Sequence, residues 1–422
     1  MSLTAADRTM LAALDGAGDV AIARTIDWCA VQSGSRNLAG LGEMADRLQV
    51  ALATLPGTVE RLPLPPTDEI SADGERRAVG NGAALRLTVR PDAPVQVLLT
   101  GHYDTVYPAT TAFRSVIERA DGTLGGPGVA DMKGGLAVML AALAGFERHR
   151  AAANLGYVVL LSPDEETGSL GSAPLLADGA KRAQIGLTYE PALANGALVA
   201  ARKGSGNFHS VVTGQAAHAG RDFAAGRNAL AAAAILAAEL HRLNGRREGV
   251  TVNVARIDGG GPLNMVPDRA VVRFNARLPD AAGQQWIEDQ LSRLLAEGLG
   301  DGLSATLHGG ITRPPKPFGR AQQSLFASAA ETAGLLGQSL SWAPSGGVCE
   351  GNNLYAAGLP GIDTLGVRGG DIHSEREFAV PESFGERIAL SALLLARLAD
   401  GRIDAAALHQ TRQQEDRVAR TA

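Results

Sequence analysis

The chain has 422 residues, of which 45% are hydrophobic and 20% are charged, and its formal net charge is −5. This length and composition exclude a disordered or fibrous chain and fit two or three globular domains. The mild negative charge argues against nucleic acid and anionic membranes as partners. The two cysteines, Cys29 and Cys349, are too few for a disulfide framework or a Cys-rich zinc module.

The N-terminal segment has no layout typical of a secretory signal. Residues 1–21 carry Asp7, Arg8, Asp15 and Asp19 and lack a basic segment followed by an apolar one. The longest apolar stretches, 134–146 and 229–240, fall short of the roughly 18–20 residues that span a bilayer. We therefore expect a cytoplasmic protein.

The first half of the chain alternates helices with buried strands. In chain order, the expected elements are helices at 7–26 and 41–55, a strand at 95–100, a helix at 134–146, and strands at 156–161 and 185–189. The strands are mostly apolar runs, which is typical of strands buried on both faces. This order predicts an α/β fold with a mostly parallel sheet.

The middle of the chain has a different order of elements. Strands are expected at 205–213, 251–257, 269–278 and 305–308, with helices at 227–243 and 284–297. The order β-α-β-β-α-β is that of a ferredoxin-like unit, and a proline-rich linker at 314–317 follows it. We therefore predict a domain at 204–312 inserted into a catalytic domain formed by 1–203 and 313–422. The last dozen residues are expected to form a solvated tail.

Acidic and imidazole side chains cluster where predicted strands end. His102 and Asp104 follow one strand, Asp164, Glu165 and Glu166 follow the next, and Glu190 follows the third, while Asp131 opens a helix and His373 lies near the end of the chain. Ligands bind at this edge of open α/β sheets, and this set of groups suits a metal such as zinc. Each residue alone is more typical of a satisfied polar group or a solvated loop, so the spacing leaves a metal site and ordinary loops equally open.

The motifs carry a resemblance to a known family. GHYDTV at 101–106, GPGVADMKGG at 126–135, PDEETGS at 163–169, YEP at 189–191 and the late His373 occur in the order found in the M20 family of dinuclear zinc peptidases and deacylases. The chain most resembles its glutamate carboxypeptidase (carboxypeptidase G2-like) branch. This resemblance implies a zinc-peptidase catalytic domain with an inserted ferredoxin-like lid and dimerisation domain.

The resemblance also implies a role for each residue of the metal site. His102 and Glu190 would bind one divalent ion, Glu166 and His373 the other, and Asp131 would bridge them. Zinc is the expected metal, with cobalt or manganese as alternatives. Asp104 would hold the ring of His102, and Glu165 would be the general base toward a metal-bridged water. The family further predicts a cis peptide bond between Asp131 and Met132.

Other matched positions concern the substrate and the second subunit. His218 would stabilise the oxyanion, acting on its own subunit's site or on its partner's, within an expected homodimer. Asn264, Arg277, Gly346 and Gly347 would contact the substrate, and Arg277 suits a free carboxylate. The chain departs from many relatives at Cys349-Glu350, which leaves the side-chain preference open; Cys349 itself is read as a buried small residue rather than a reactive thiol or a ligand.

The leading hypothesis is a metal-dependent hydrolase that cleaves an amide or peptide bond next to a carboxylate in a small molecule or short peptide. An N-acyl-amino-acid deacylase of the aminoacylase, deacetylase or desuccinylase type is the alternative. A non-catalytic metal-binding homologue ranks low because Glu165 and all five ligand candidates are present. A nucleotide-binding enzyme is excluded by the lack of GxGxxG and GxxxxGK[ST] motifs.

Overall fold

The computed structural model describes residues 2–296 and 298–421. Its α-helices are α1 (Ala5–Ala12), α2 (Ala17–Cys29), α3 (Leu38–Leu52), α4 (Lys133–Phe146), α5 (Ala173–Arg182), α6 (Ala229–His241), α7 (Ala281–Ala296), α8 (Arg320–Leu335), α9 (Glu350–Ala356), α10 (Glu382–Ala399) and α11 (Ala405–Thr421). Glu297, the predicted last residue of the helix now called α7, lies outside the described residues. No helix in the described ranges is both long and apolar enough to cross a bilayer.

The strands fall into one large sheet, one smaller sheet, a group of four two-residue strands and three short pairs. In chain order they are β1 (Thr58–Pro63), β2 (Thr67–Ile70), β3 (Arg76–Val79), β4 (Ala83–Val89), β5 (Val95–His102), β6 (Ile117–Glu118), β7 (Leu124–Gly125), β8 (Leu155–Ser162), β9 (Ile185–Thr188), β10 (Leu198–Arg202), β11 (Gly204–Thr213), β12 (Ala217–His218), β13 (Thr251–Gly259), β14 (Met265–Val266), β15 (Arg269–Leu278), β16 (Ser304–Arg313), β17 (Trp342–Ser345), β18 (Gly361–Ile362), β19 (Gly369–Gly370) and β20 (Phe378–Ala379).

The large sheet has the order β1-β4-β8-β5-β9-β18. Strands β8, β5, β9 and β18 are parallel, and β4 and β1 extend the sheet by antiparallel pairing. His102 lies beside Ser162 in the register of β5 and β8, so both strands end at the same edge. The apolar runs that predict these strands are buried on both faces, which confirms the expected α/β class.

Helices cover both faces of the large sheet. The Ala- and Leu-rich helix α4 is buried and packs against α2 and α10, whereas α5 and α9 lie on the other face with their own apolar cluster. Gly135 allows α4 to approach the end of β9 closely because it has no Cβ. A Cβ at this position would lie 1.9 Å from the carbonyl oxygen of Tyr189. This close approach sets the start of α4 beside the edge where β9 ends.

The smaller sheet has the antiparallel order β13-β15-β11-β16, with α6 and α7 packed on one face. The chain enters it at Gly204 and leaves it at Arg313. Its elements follow the expected ferredoxin-like order, with the short pair β12 and β14 added at the outer end. The domain limits of 204 and 312 stay a prediction.

The hairpin of β2 and β3 belongs to the first part of the chain but packs on the open face of the smaller sheet. Ile70 forms a buried cluster with Val211 and Val271. Arg273 donates from Nη2 to the carbonyl oxygen of Ser71 at 2.9 Å. The hairpin therefore contacts the smaller sheet far from Gly204 and Arg313, where the chain enters and leaves that sheet.

Two expectations about the ends of the chain are wrong. The predicted helix at 7–26 is broken into α1 and α2, with Gly16 at a φ of 70° between them. The predicted solvated tail is helix α11, in which the guanidinium of Arg412 lies 3.7 Å from the ring centroid of Tyr355. Polar composition hid this contact, because an arginine that packs on an aromatic ring still counts as a polar residue in the sequence.

Candidate metal centre and substrate cleft

The first group of candidate ligands forms where β5 and β9 end. The Nε2 atom of His102 lies 3.1 Å from Oδ1 of Asp131 and 3.8 Å from Oε1 of Glu190. All three side chains are buried. One ligand atom of each lies within 4.8 Å of the others, which is close enough to surround a single ion.

The second group shares Asp131 with the first. The Nε2 atom of His373 lies 3.3 Å from Oδ2 of Asp131 and 3.2 Å from Oε2 of Glu166. These three residues meet the same 4.8 Å criterion. Because each group uses a different oxygen of Asp131, this carboxylate can bridge two ions.

The electrostatics of the two groups fit divalent cations. Burial and the charge of Asp131 raise the pKa of Glu166 to about 8 and hold the pKa of Glu190 well above its usual range. The buried Oε1 of Glu190 has no hydrogen-bond partner among the described residues. Buried carboxylates are retained when cations compensate them, and this set of imidazoles and carboxylates suits zinc, cobalt or manganese.

The loop that carries Asp131 is held by a glutamate that sequence reasoning missed. The backbone N–H groups of Ala130 and Asp131 both donate to Oε1 of Glu377 at 3.0 Å. Tyr107 donates its hydroxyl to Oε2 of Glu377 at 2.7 Å. The Asp131–Met132 peptide bond is cis, which confirms the prediction. Glu377 lies 246 residues beyond Asp131 in a polar loop, so no local pattern points to it.

Asp104 is buried and organises both sides of the centre. Its carboxylate lies 3.4 Å from Nδ1 of His102. It also accepts hydrogen bonds from the backbone N–H groups of Glu165 and Glu166, at 3.1 and 3.2 Å, and from the hydroxyl of Ser35 at 2.7 Å. The structure therefore places Asp104 beside the ring of His102, as predicted, and adds contacts to the backbone of the neighbouring acidic loop.

Glu165 is adjacent to a ligand candidate but has a different contact. Arg313 donates from Nη2 to Oε1 of Glu165 at 2.7 Å and to its backbone oxygen at 3.2 Å. The same nitrogen reaches the hydroxyl of Ser169 at 2.9 Å. Arg313 is buried and fixes the position of the Glu165 side chain at the wall of the cleft. Sequence reasoning missed Arg313, which precedes the proline-rich linker and carries no motif.

A cavity of about 460 Å³ opens over the two ligand groups. Arg277 lines it, and its buried Nη1 has no hydrogen-bond partner within the described ranges. Arg202 also lines it, but Arg202 pairs with Asp363 at 2.8 Å and donates to the carbonyl oxygen of Gly347 at 3.2 Å. Gly347 lines the cavity, whereas its neighbour Gly346 is not part of the wall. Arg277 is thus the arginine of this wall whose guanidinium still has a donor to offer.

Two residues predicted for the site lie elsewhere in this chain. His218 and Asn264 are exposed at the outer end of the smaller sheet, where the N–H of Ala219 donates to the carbonyl oxygen of Asn264 at 2.9 Å. The part of β11 from Ser205, which lines the cavity, to Thr213 spans roughly 26 Å of strand. The outer end is therefore remote from the metal groups of the same chain.

The loop before α9 lines the cavity, but not through the two residues at which the sequence departs from many relatives. Ser345, Gly347 and Val348 line the cavity, whereas Cys349 and Glu350 are buried beneath it. Cys349 is the N-cap of α9, and Glu350 accepts a hydrogen bond from the hydroxyl of Ser162. Burial raises the pKa of Glu350 to about 8. The departure at Cys349-Glu350 thus changes the support of the loop rather than its surface, and Cys349 is a buried residue as expected.

Comparisons with known proteins agree with this arrangement. A profile of "Peptidase family M20/M25/M40" matches residues 98–397. Carboxypeptidase G2 of Pseudomonas sp. (strain RS-16) is 28% identical over 317 residues, covering 72% of this chain and 74% of that protein. A succinyl-diaminopimelate desuccinylase of Methylobacterium radiotolerans is 28% identical and covers 50% of this chain and 58% of its own length. The solved structure of a tripeptidase from Staphylococcus aureus has a TM-score of 0.69 at 21% identity, covering 91% of this chain and 99% of that one.

Proposed function

Because the chain belongs to peptidase family M20/M25/M40 and is a metallohydrolase of that family, we propose that it cleaves an amide bond whose nitrogen belongs to an amino acid with a free carboxylate. The observation that carries this proposal is the pair of ligand groups sharing Asp131 in the cavity that holds the unpartnered Nη1 of Arg277. We propose a glutamate-carboxypeptidase type of reaction, by analogy with the similarity to carboxypeptidase G2.

Each residue of the centre has a proposed role. His102 and Glu190 would hold one zinc ion, Glu166 and His373 the other, and Asp131 both. When bound, two divalent ions supply Lewis acidity that activates water and polarises the scissile carbonyl. Glu165 takes the proton from the attacking water and delivers it to the leaving nitrogen. Asp104 and Arg313 are positioning residues, since they hold the ring of His102 and the carboxylate of Glu165.

Substrate binding is proposed to depend on Arg277. A guanidinium binds a carboxylate through two parallel hydrogen bonds; Arg277 lines the cavity, and its buried Nη1 has no hydrogen-bond partner among the described residues. Gly347, which lines the same cavity, would contact the substrate through its backbone. Because Arg202 is already paired with Asp363, Arg277 decides whether a free carboxylate is recognised.

We propose that the site is completed by a second copy of the chain. The backbone N–H groups of Gly220 and Arg221 both donate to Nδ1 of His218, so this ring carries its proton on Nε2 and presents an N–H donor. Strand β13 pairs only with β15 among the described residues, and its other edge is available for pairing with a copy of itself. His218 and Asn264 would then reach the partner's cleft in a homodimer.

Cytoplasmic localisation, expected from the sequence, stays a prediction.

The test is a panel of substrates with matched metals. Purified protein, stripped with a chelator and reloaded with zinc, cobalt or manganese, is assayed on N-acyl glutamates, other N-acyl amino acids and dipeptides. We expect metal-dependent hydrolysis, with C-terminal amides of the same compounds cleaved at least tenfold more slowly because Arg277 loses its charged partner. No hydrolysis with any metal, or equal rates on acids and amides, contradicts the proposal.

The second candidate is an N-acyl-amino-acid deacylase, favoured by the similarity to succinyl-diaminopimelate desuccinylase. The same residues serve both reactions, since both cleave a carbonyl–nitrogen bond next to an amino-acid carboxylate. The panel separates them. A carboxypeptidase prefers a peptidyl acyl group and a particular C-terminal residue, whereas a deacylase prefers acetyl or succinyl groups on the nitrogen.

A further inference from the structure

A second cavity of about 870 Å³ lies beside the catalytic cavity, and we call it the distal cavity. It is bounded by the β2–β3 hairpin on one side and the open face of the smaller sheet on the other. Asn207, Asn275 and Thr312 line both cavities, so the two spaces meet at these residues. Thr167 and Leu170, which follow the ligand candidate Glu166, also line the distal cavity, which places its opening next to the reacting position.

The hairpin is fixed over the distal cavity at several points. Ile70 is buried against Val211 and Val271, and the carbonyl oxygen of Ser71 accepts from Arg273 at 2.9 Å. Glu69 of the hairpin forms an ion pair with Arg36. The hairpin that bounds the distal cavity is therefore held in place by apolar, hydrogen-bond and ionic contacts.

The charges around the distal cavity are paired. Arg273 lies 2.6 Å from Asp258, Arg76 lies 3.4 Å from Asp68, and Arg36 pairs with Glu69. With its arginines compensated in this way, the wall offers no strong site for a second anionic group. Its amides, hydroxyls and imidazoles instead suit an uncharged polar chain.

One wall of the distal cavity is the edge of a strand. Six consecutive residues of β16, at positions 307–312, line it. Strands β11 and β15, which are paired on both sides, contribute three consecutive residues each to the wall, whereas β16 contributes six and is an outer strand of the sheet. Among the described residues β16 pairs only with β11, and the outer edge of such a strand carries N–H and C=O groups that no neighbouring strand uses, although the carbonyl oxygen of Thr312 already accepts from Nδ2 of Asn353 at 3.1 Å.

We infer that the distal cavity binds the acyl portion of a peptide substrate as an added strand along β16. This inference rests on the proposed function and makes the substrate a peptide of several residues rather than an N-acetyl or N-succinyl amino acid. From Thr312, which lines both cavities, to Leu307, β16 spans roughly 17 Å, about five extended residues. Backbone hydrogen bonds to β16 give affinity with little dependence on side-chain identity.

The experiment uses a length series of acetyl-(Ala)n-Glu peptides with n from zero to six. The dissociation constant is measured on the Glu165→Gln variant and kcat/KM on the wild type, both loaded with zinc. We expect affinity and kcat/KM to rise about tenfold between n = 1 and n = 4 and then to level off. N-methylation of the alanine amides in the n = 4 peptide should remove this gain.

A blocking variant locates the effect. A Cβ at Gly310 would meet no atom within 4 Å, so Gly310→Trp fits the backbone and projects into the cleft. It should lower affinity for the n = 4 peptide about tenfold relative to n = 1. Gly334→Trp, at an exposed and equally open position on α8, is the matched control and should keep the wild-type ratio.

The outcomes separate the two proposals. Affinity that does not change with n, or that Gly310→Trp lowers equally for short and long peptides, overturns the distal site even if short substrates are hydrolysed. Affinity that rises with n while no peptide is hydrolysed with any metal contradicts the proposed function and supports the distal site.

Discussion

At the metal end of the cleft, Asp104 and Glu377 are buried and accept several hydrogen bonds each from neighbouring chain segments. At the outer end of the smaller sheet, His218 and Asn264 are exposed, and the hydrogen bonds there join only the two short neighbouring segments that carry them. One region is organised by contacts within a single chain, and the other presents the ring of His218 at an exposed position among the described residues. The proposed dimer accounts for this difference, since a second copy would bring the outer residues to a centre that is already formed.

The strongest test of the rigid centre is Glu165→Gln. The variant should lose at least about 10³-fold in kcat, since general acid–base transfer is removed while the hydrogen bond from Arg313 is retained. The metal content, measured by mass spectrometry, should stay at the wild-type value. Glu248→Gln, at an exposed position, is the control. A kcat close to wild type would remove Glu165 from the role of base.

The outer region is tested by His218→Ala. This variant should lose about 10²–10³-fold in kcat with unchanged metal content, because a single donor to the developing oxyanion is lost. Mixing it with Glu165→Gln under conditions that exchange subunits should restore about a quarter of wild-type activity, since half of the dimers are mixed and each has one complete site.

The mixing experiment also has a clear negative result. If the two inactive variants stay inactive when mixed, while energy transfer between differently labelled subunits shows that they have exchanged, His218 acts within its own chain. A fully active monomer would contradict both the dimer and the action of His218 across subunits. A movement of the inserted domain would then have to bring the outer end of the smaller sheet to the metal centre of the same chain.

The support of the centre is tested by Asp104→Asn. An amide at this position turns a donor toward the backbone N–H groups of Glu165 and Glu166, so the acidic loop and the ring of His102 lose alignment. We expect metal affinity to fall about 10- to 100-fold, measured by competition with a chelator. Asp178→Asn, in an exposed i,i+4 pair, should leave it unchanged. Equal affinity in both variants would assign Asp104 a purely structural role.

Much of the fold was predictable because its strands are apolar runs bounded by glycine-rich turns. Strands β5, β8 and β9 start and end within two residues of their predicted limits. His102, Glu166, Glu190 and Asp131 were candidates because they lie at the ends of such strands or at the start of a helix, whereas their ligand roles and the inclusion of His373 came from the resemblance to the M20 family. The hairpin of β2 and β3 was missed, since its four-residue strands are polar and its burial depends on Val211 and Val271, more than 130 residues away.

The supporting residues of the site were beyond sequence reasoning for a similar reason. Arg313 and Glu377 act through partners 148 and 246 residues away, so neither has a local signature. The distance of His218 from the cleft of its own chain could not be predicted either, because a motif indicates a role but not a position in the fold. Polar contacts between distant segments depend on tertiary structure, whereas hydrophobic periodicity is written locally.

The hairpin of β2 and β3 would resist a rotation of the inserted domain, because it contacts the smaller sheet far from the chain connections. The two chain crossings are hydrogen-bonded to each other, Arg202 to Lys316 at 2.9 Å and back at 3.0 Å, and so form one hinge. Val211 lies nine residues along the chain from Arg202, an arm of roughly 30 Å, so a rotation of about 4° already separates it from Ile70 by about 2 Å. Widening the cleft would therefore separate this apolar contact, and the hydrogen bond from Arg273 to Ser71, at the very start of the motion. Part of the free energy of opening would thus depend on aliphatic side chains that take no part in bond cleavage.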